Sequence, residues 1–164
     1  CKRMEPISGS LWKRYDPSKL AREFTLAGAP VISVNCDAVL FGGSLEDVTK
    51  AREASTAAAI EKMSEDGVVV PPILASDLLL YPYQLYKLQL AGADAVNLFG
   101  GALAAKDLRY LAKIASSLKI QTLVTVTSEV QLRGLTVLPP GTLDGVIVSN
   151  RELEVGSDSV LKRR

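Results

Sequence analysis

The span from Val68 to Phe99 constrains the fold of this chain more than any other, because it reads in succession as strand, loop, helix, stop and strand. An apolar run over 68–74 gives way to a polar break at Ala75, Ser76 and Asp77. A helix-period set follows (Tyr83, Leu85, Tyr86, Leu88 and Leu90), then Ala91-Gly92-Ala93, then a second apolar run. A run apolar on both faces suits a parallel strand covered on each side, and Gly92 suits the left-handed residue that ends a helix. The break at Ala75, Ser76 and Asp77 then follows the carboxyl end of a strand, where parallel α/β folds keep their chemistry.

The neighbouring segments repeat this plan. Asp16 before Pro17 reads as an N-cap with proline at the first helical position. Leu20, Ala21, Phe24 and Ala27 recur at helical spacing before Gly28, which predicts a helix over 17–27. Residues 31–35 (VISVN) are β-branched and apolar, a central strand running into Phe41, Gly42, Gly43 and Ser44. Ser44 with Asp47 three residues on makes a capping box, and the helix it opens is expected to reach Met63. Its Ala-, Ser- and Thr-rich middle over 54–59 leaves room for a break into two pieces. A further helix from Ala104 or Lys106 carries Leu108, Leu111, Ile114, Ala115 and Leu118 on one face. Residues 123–127 read as a strand, Ser128 as the cap of a short helix through Leu132, and Pro139-Pro140-Gly141 as a turn into a strand over 146–148. At the front, 1–11 reads as loop, the tail of a strand whose beginning lies before Cys1.

Alternating strands and helices with connections too long for hairpins imply a parallel sheet, either doubly wound or a β/α barrel. The doubly wound fold predicts a glycine-rich phosphate turn after its first strand, and no G-x-G-x-x-G is present, which favours the barrel. With 164 residues, 48% hydrophobic and mean hydropathy +0.19, the chain is long enough to bury a core as one domain. A net charge of +1 and 5% aromatic residues suggest neither a phosphate-tracking face nor a base-stacking platform, so no direct nucleic-acid binding is expected. Two cysteines, Cys1 and Cys36, and no histidine argue against a disulfide framework, a metal site or a haem, and no cofactor is expected. Cys36, next to a strand end, reads as a small buried filler. No apolar run approaches the roughly 18 to 20 residues of a membrane span.

Four segments, Phe41-Gly42-Gly43-Ser44-Leu45-Glu46-Asp47, Tyr81-Pro82-Tyr83-Gln84-Leu85-Tyr86, Ala91-Gly92-Ala93-Asp94-Ala95-Val96 and Asn150-Arg151-Glu152-Leu153, together resemble the indole-3-glycerol phosphate synthase family. The resemblance implies an α/β fold of the (β/α)8 TIM-barrel type, with about six of the eight strands in this chain. It places a partial barrel over 1–155 and a polar, basic tail over 156–164. It implies a site on the carboxyl face of the strands, where family members close the indole ring of a phosphorylated carboxyphenylamino-deoxyribulose with loss of carbon dioxide and water.

Carried over position by position, the family's substrate-binding lysine falls on Lys2, while its phosphate-binding serine appears as Glu5 and the lysine before that as Met4. The general acid, a lysine in the family, appears as Ser76, and the catalytic base, a glutamate, as Thr125. The asparagine of the sixth strand becomes Ser149, and the arginine remains as Arg151. No catalytic residue is therefore assigned, and the substrate-binding candidates are Lys2, Phe41, Ser149 and Arg151. Each has a plainer reading: Lys2 as a solvated terminal lysine, Phe41 as packing at the barrel mouth, Arg151 as an ion-pair partner of Glu152 or Asp77. Asp77 reads as a loop cap or a partner of Lys or Arg.

A hydroxyl carries no positive charge and holds its proton too tightly to act as an acid near neutral pH. The expectation is thus a pseudo-enzyme, a binding or architectural subunit whose partners are other protein subunits. The alternatives are a divergent synthase, or a non-catalytic sensor of an anionic or phosphorylated small molecule. The resemblance also suggests the plastid stroma, and otherwise the cytoplasm.

Overall fold

The computed structural model describes residues 1–5, 9–11, 14–62 and 69–150. Five parallel strands form its centre: β3 (Ile32–Asn35), β4 (Ile73–Ser76), β5 (Ala95–Phe99), β6 (Gln121–Val126) and β7 (Gly145–Val148). A short antiparallel pair, β1 (Met4–Glu5) and β2 (Gly9–Ser10), precedes them. The helices are α1 (Pro17–Leu26), α2 (Leu45–Glu61), α3 (Pro82–Leu90), α4 (Ala105–Ser117) and α5 (Glu129–Leu135). Among the described residues, no helix is long and apolar enough to cross a membrane.

Sheet order decides between the two architectures left open by the sequence. The strands follow one another as β3-β4-β5-β6-β7 without reversal. A doubly wound sheet must reverse its order to place helices on both faces, whereas right-handed crossovers in monotonic order put every helix on the same face. This is the wall of a β/α barrel. Cys1 adds a further rung beside β3: its carbonyl accepts from the Asn35 N–H at 3.0 Å and its main-chain nitrogen donates to the Ser33 carbonyl. The strand tail expected at the front is thus present at Cys1, while the loop expected after it folds into the β1–β2 pair.

Helix boundaries follow local chemistry. The Asp16 carboxylate accepts from the Lys19 N–H at 3.1 Å with Pro17 in the first turn, and Ser44 and Asp47 close the reciprocal capping box at 3.2 and 3.1 Å. Ser128 caps α5, which continues beyond the expected Leu132 to Leu135. Gly92 adopts φ +95°, the left-handed stop after α3. Helix α2 runs unbroken through 54–59, because the small side chains there let α1 approach closely. Ser55, Ala58 and Ala59 are buried, and the Ser55 and Thr25 hydroxyls meet at 2.9 Å. Met63 lies outside the described residues.

One expectation is corrected. The strand expected over 68–74 begins only at Ile73, so Ala75 and Ser76 are its last rungs rather than a loop. Pro71 and Pro72 bring no N–H to a ladder, and Val69 is exposed. In α3, Leu85 and Leu88 are buried while Tyr83, Tyr86 and Leu90 are exposed, because a single layer of strands covers only one side of the helix.

The core lies between strands and helices. Val34, Ala75, Val96 and Thr122 share one cross-strand row, with Leu98 and Val124 in the next, all buried. They belong to one cluster with Val48, Ala51, Leu85, Leu88, Leu108 and Leu111, apart from the polar Thr122. Each fully buried leucine contributes about 1.5–3 kcal/mol.

The amino ends of the strands are held by a device that occurs twice. The Asp94 carboxylate accepts from the Ile73 N–H at 2.7 Å and from the Arg52 guanidinium, while its own N–H donates to the Ile73 carbonyl. Asp144 repeats this on β6: its carboxylate accepts from the Thr122 N–H at 2.7 Å and its N–H donates to the Thr122 carbonyl at 2.8 Å. Asp94→Ala leaves the Ile73 N–H and the Arg52 guanidinium without this acceptor, and is expected to lower unfolding free energy by about 1–3 kcal/mol. Asp94→Asn, which keeps an acceptor oxygen but no charge, should fall between alanine and the native residue in urea denaturation. Equal midpoints for all three proteins would refute the role.

Candidate functional site

Alternation along each strand sends every second residue to the face away from the helices, the inner face of the barrel wall. One inner row is Asn35, Ser76, Asn97, Leu123 and Gly145, in direct cross-strand register. The next row towards the carboxyl ends is Phe99, Thr125 and Ile147. Ser76 and Thr125, which stand where the resemblance expects acid and base, therefore share this face, two strands apart.

Asn97 stands between them. The Thr125 hydroxyl donates to the Asn97 side-chain oxygen at 2.8 Å, and both residues are buried. Ser76 is buried beside Asn97 in register, and its carbonyl accepts from the Cys36 N–H at 2.9 Å and the Cys36 thiol at 3.4 Å. Three neutral polar groups thus line this part of the inner face. They can donate and accept hydrogen bonds, and they hold no proton that titrates near neutral pH. Asn97 was not singled out in the sequence, where it interrupts an apolar run; its polarity among Ala95, Val96 and Leu98 was the signal.

Lys2 and Phe41 come together as a pair. The Lys2 ammonium lies 5.0 Å from the Phe41 ring centre and 2.7 Å from the Glu5 carboxylate. Phe41 is buried, as expected of packing at the barrel mouth. The solvated reading of Lys2 is corrected: its side chain is only 25% exposed and its charge is met within the chain. Beside it, Arg3 stacks 4.8 Å from the Tyr15 ring centre and stands 3.8 Å from Asp47. Burial, and then the Asp47 charge, push the Tyr15 hydroxyl up to about 12.

Among the described residues, Asp77 meets another acid. Its carboxylate accepts from the Leu78 N–H at 2.7 Å, the loop-capping role, and its side chain is hydrogen-bonded to Asp37. Burial raises the Asp77 pKa, the Leu78 N–H opposes the shift, and Asp37 adds to it. The adjacent Cys36 thiol is pushed up to about 12 by burial first and by Asp77 second, so it carries no thiolate at neutral pH. Among the described residues no group of three His, Cys, Asp or Glu side chains is placed to hold a metal ion.

Ser149 lies at the end of β7 in phase with Gly145 and Ile147, and its N–H donates to the Val126 carbonyl at 2.9 Å. It is four strands along the sheet from β3, far in order from Lys2 and Phe41. Arg151, with the ion pair expected of it, and the 156–164 tail lie outside the described residues.

The family model described as "Indole-3-glycerol phosphate synthase" matches residues 1–155. Among curated proteins, the indole-3-glycerol phosphate synthase of Acaryochloris marina (strain MBIC 11017) is 34% identical over 153 residues, 93% of this chain and 45% of that protein. The synthase of the same name from Microcystis aeruginosa (strain NIES-843 / IAM M-2473) is 33% identical over 93% of this chain and 46% of its own length. That of Rippkaea orientalis (strain PCC 8801 / RF-1) is 32% identical over 93% and 47%. The chain spans about half the length of the curated relatives it matches.

The acid pair carries a pH signature. The Asp77 carboxyl has a folded pKa above the ordinary carboxyl value of 3.8, so its contribution to stability is complete below that value and is lost as pH rises through the folded pKa. Asp77→Asn keeps an acceptor for the Leu78 N–H and removes the titration. The variant is therefore expected to be more stable than the native protein at neutral pH, with an advantage that shrinks as the pH falls towards 3.8. Urea midpoints for both proteins across this window test it, and a constant difference would exclude Asp77 as the titrating group.

Proposed function

This chain belongs to the indole-3-glycerol phosphate synthase family, and we propose that it is a non-catalytic member, a β/α-barrel relative working as a binding or architectural subunit of a larger assembly. One observation carries this reading: Ser76 and Thr125, the positions to which the resemblance assigns the family's acid and base, both lie on the inner face. Ring closure with loss of water needs a proton delivered and a proton removed. A serine hydroxyl does neither near neutral pH, and the Thr125 hydroxyl already donates its hydrogen to Asn97 in a buried pair. General acid and base groups each contribute about 10²–10⁴-fold to a rate, so losing both removes practical turnover.

The relatives' names favour a second reading, a divergent synthase of tryptophan biosynthesis, a lyase whose acid and base come from other parts of the molecule. Turnover of the phosphorylated carboxyphenylamino-deoxyribulose by the full-length native protein separates the two. Measured beside the Acaryochloris marina synthase, the expected rate is lower by about 10⁴-fold or more. Comparable rates would overturn the non-catalytic reading.

The anion-sensor reading is disfavoured by the Lys2–Glu5 pair at 2.7 Å, which sets a carboxylate where a phosphate would have to approach the ammonium. Calorimetry with inorganic phosphate is expected to give no binding heat for the native protein and measurable heat for Glu5→Ser. Phosphate binding by the native protein would restore the sensor reading. No heat from the Glu5→Ser variant would show that Glu5 is not what keeps the anion out.

A further inference from the structure

The outward faces of α3 and α4 differ from those of α1, α2 and α5 in how their charges are met. On α1, α2 and α5 the cations are paired: Arg22 with Glu61 at 2.6 Å, Lys50 with Glu46 at 2.9 Å, Arg133 with Glu129 at 2.6 Å, Lys19 with Glu23 at 4.0 Å, and Arg52 with Asp94. On α3 and α4, Lys87, Lys106, Arg109 and Lys113 are all exposed, and among the described residues none of them forms an ion pair. The sequence explains why: from 78 to 128 the only acids are Asp94, held by Arg52, and Asp107 in the first turn of α4.

Large apolar side chains share this surface. Tyr83, Tyr86 and Leu90 are exposed along α3, Tyr110 along α4, and Tyr81 stacks on Tyr83 with ring centres 6.2 Å apart. Lys87 lies 5.1 Å from the Tyr83 ring centre, so part of the cationic charge sits over an aromatic ring. The Gln89 side-chain amide donates to the Leu118 carbonyl at 3.0 Å, which joins the ends of the two helices into one face. Tyrosine and arginine dominate the energetics of protein interfaces, while lysines suit a polar rim.

We propose that the α3–α4 face is the docking surface for an acidic segment of a partner protein, whose carboxylates meet Lys106, Arg109 and Lys113 while its apolar side chains cover Tyr83, Tyr86 and Leu90. Charge complementarity selects this occupant: among the described residues the face carries four cations without an ion pair and almost no acid. Nucleic acid fits less well, because binding to a phosphate backbone is driven by charge and gains nothing from exposed leucine. The placement deepens the architectural role proposed above and rests on it, since a subunit needs a surface to be held by.

The test uses the full-length protein and a fluorescein-labelled helical peptide with Glu and Leu at i, i+3 and i+4 spacing, read by anisotropy. Its Glu→Gln counterpart and a DNA duplex of the same net charge serve as competitors. The acidic peptide is expected to bind, and to bind about tenfold or more weakly to the Lys106→Glu/Arg109→Glu/Lys113→Glu protein and to the Tyr83→Ala/Tyr86→Ala protein. Lys19→Glu/Arg133→Glu, altered on other helices, should bind like the native chain. Should the triple reversal fail to fold, Lys106→Gln/Arg109→Gln/Lys113→Gln reads the same loss. Peptide binding that is absent, unchanged in the α4 variants, or displaced as well by the DNA duplex would overturn the proposal. Turnover is scored separately, so a protein that binds the peptide and also converts the family substrate overturns only the non-catalytic reading.

Discussion

Cross-strand register is the constraint on which the rest of this structure depends. Side chains alternate faces along a strand, so a slip of one residue between β4, β5 and β6 would carry Ala75, Val96 and Val124 to the inner face and bury Ser76, Asn97 and Thr125 among the helices. Asp94 and Asp144 oppose that slip by binding the first amide of β4 and the second of β6 with carboxylates that sit one strand further on. Arg52 ties the first of these to α2, so the helix layer and the strand layer share one reference point. Core packing and the composition of the inner face are two consequences of the same alignment.

Held this way, the described part of the inner face brings neutral polar groups together. Thr125 and Asn97 satisfy each other, Ser76 is buried beside them, and Lys2 is met by Glu5 and covered on one side by Phe41. Burial keeps the Cys36 thiol protonated, and Asp77 shares a hydrogen bond with Asp37. Among the described residues, the cations on the outer face of α4 and Lys87 on α3 form no ion pair. Chemistry at strand ends and recognition on helix faces are separable in a β/α barrel because different residues of the same elements serve them.

Much of this was legible without coordinates wherever the cause is local. Asp16, Ser44 and Ser128 announce helix starts through bonds to amides three residues away, and Gly92 announces a stop because few other residues adopt φ +95°. The start of β4 was misplaced because an apolar run resembles a strand whether or not its residues carry ladder amides, and Pro71 and Pro72 do not. The spacing of Tyr83, Leu85, Tyr86, Leu88 and Leu90 announced α3 without saying which of them a neighbour covers. Nothing near Asn97 in sequence announces its partner, since Thr125 is 28 residues away.

By itself, the sequence determined the kind and order of the elements, the parallel α/β character, the family, and the hydroxyl side chains at Ser76 and Thr125, since all of these reside in residue identity and short-range spacing. Only the tertiary structure decided that the strands add in monotonic order, that Ser76, Asn97 and Thr125 share a face, that Glu5 meets Lys2, and which cations among the described residues form no ion pair. The physical reason is range: caps and turns are settled within one helical turn, whereas register, side-chain pairing and solvent exposure depend on segments that meet only when the chain has folded.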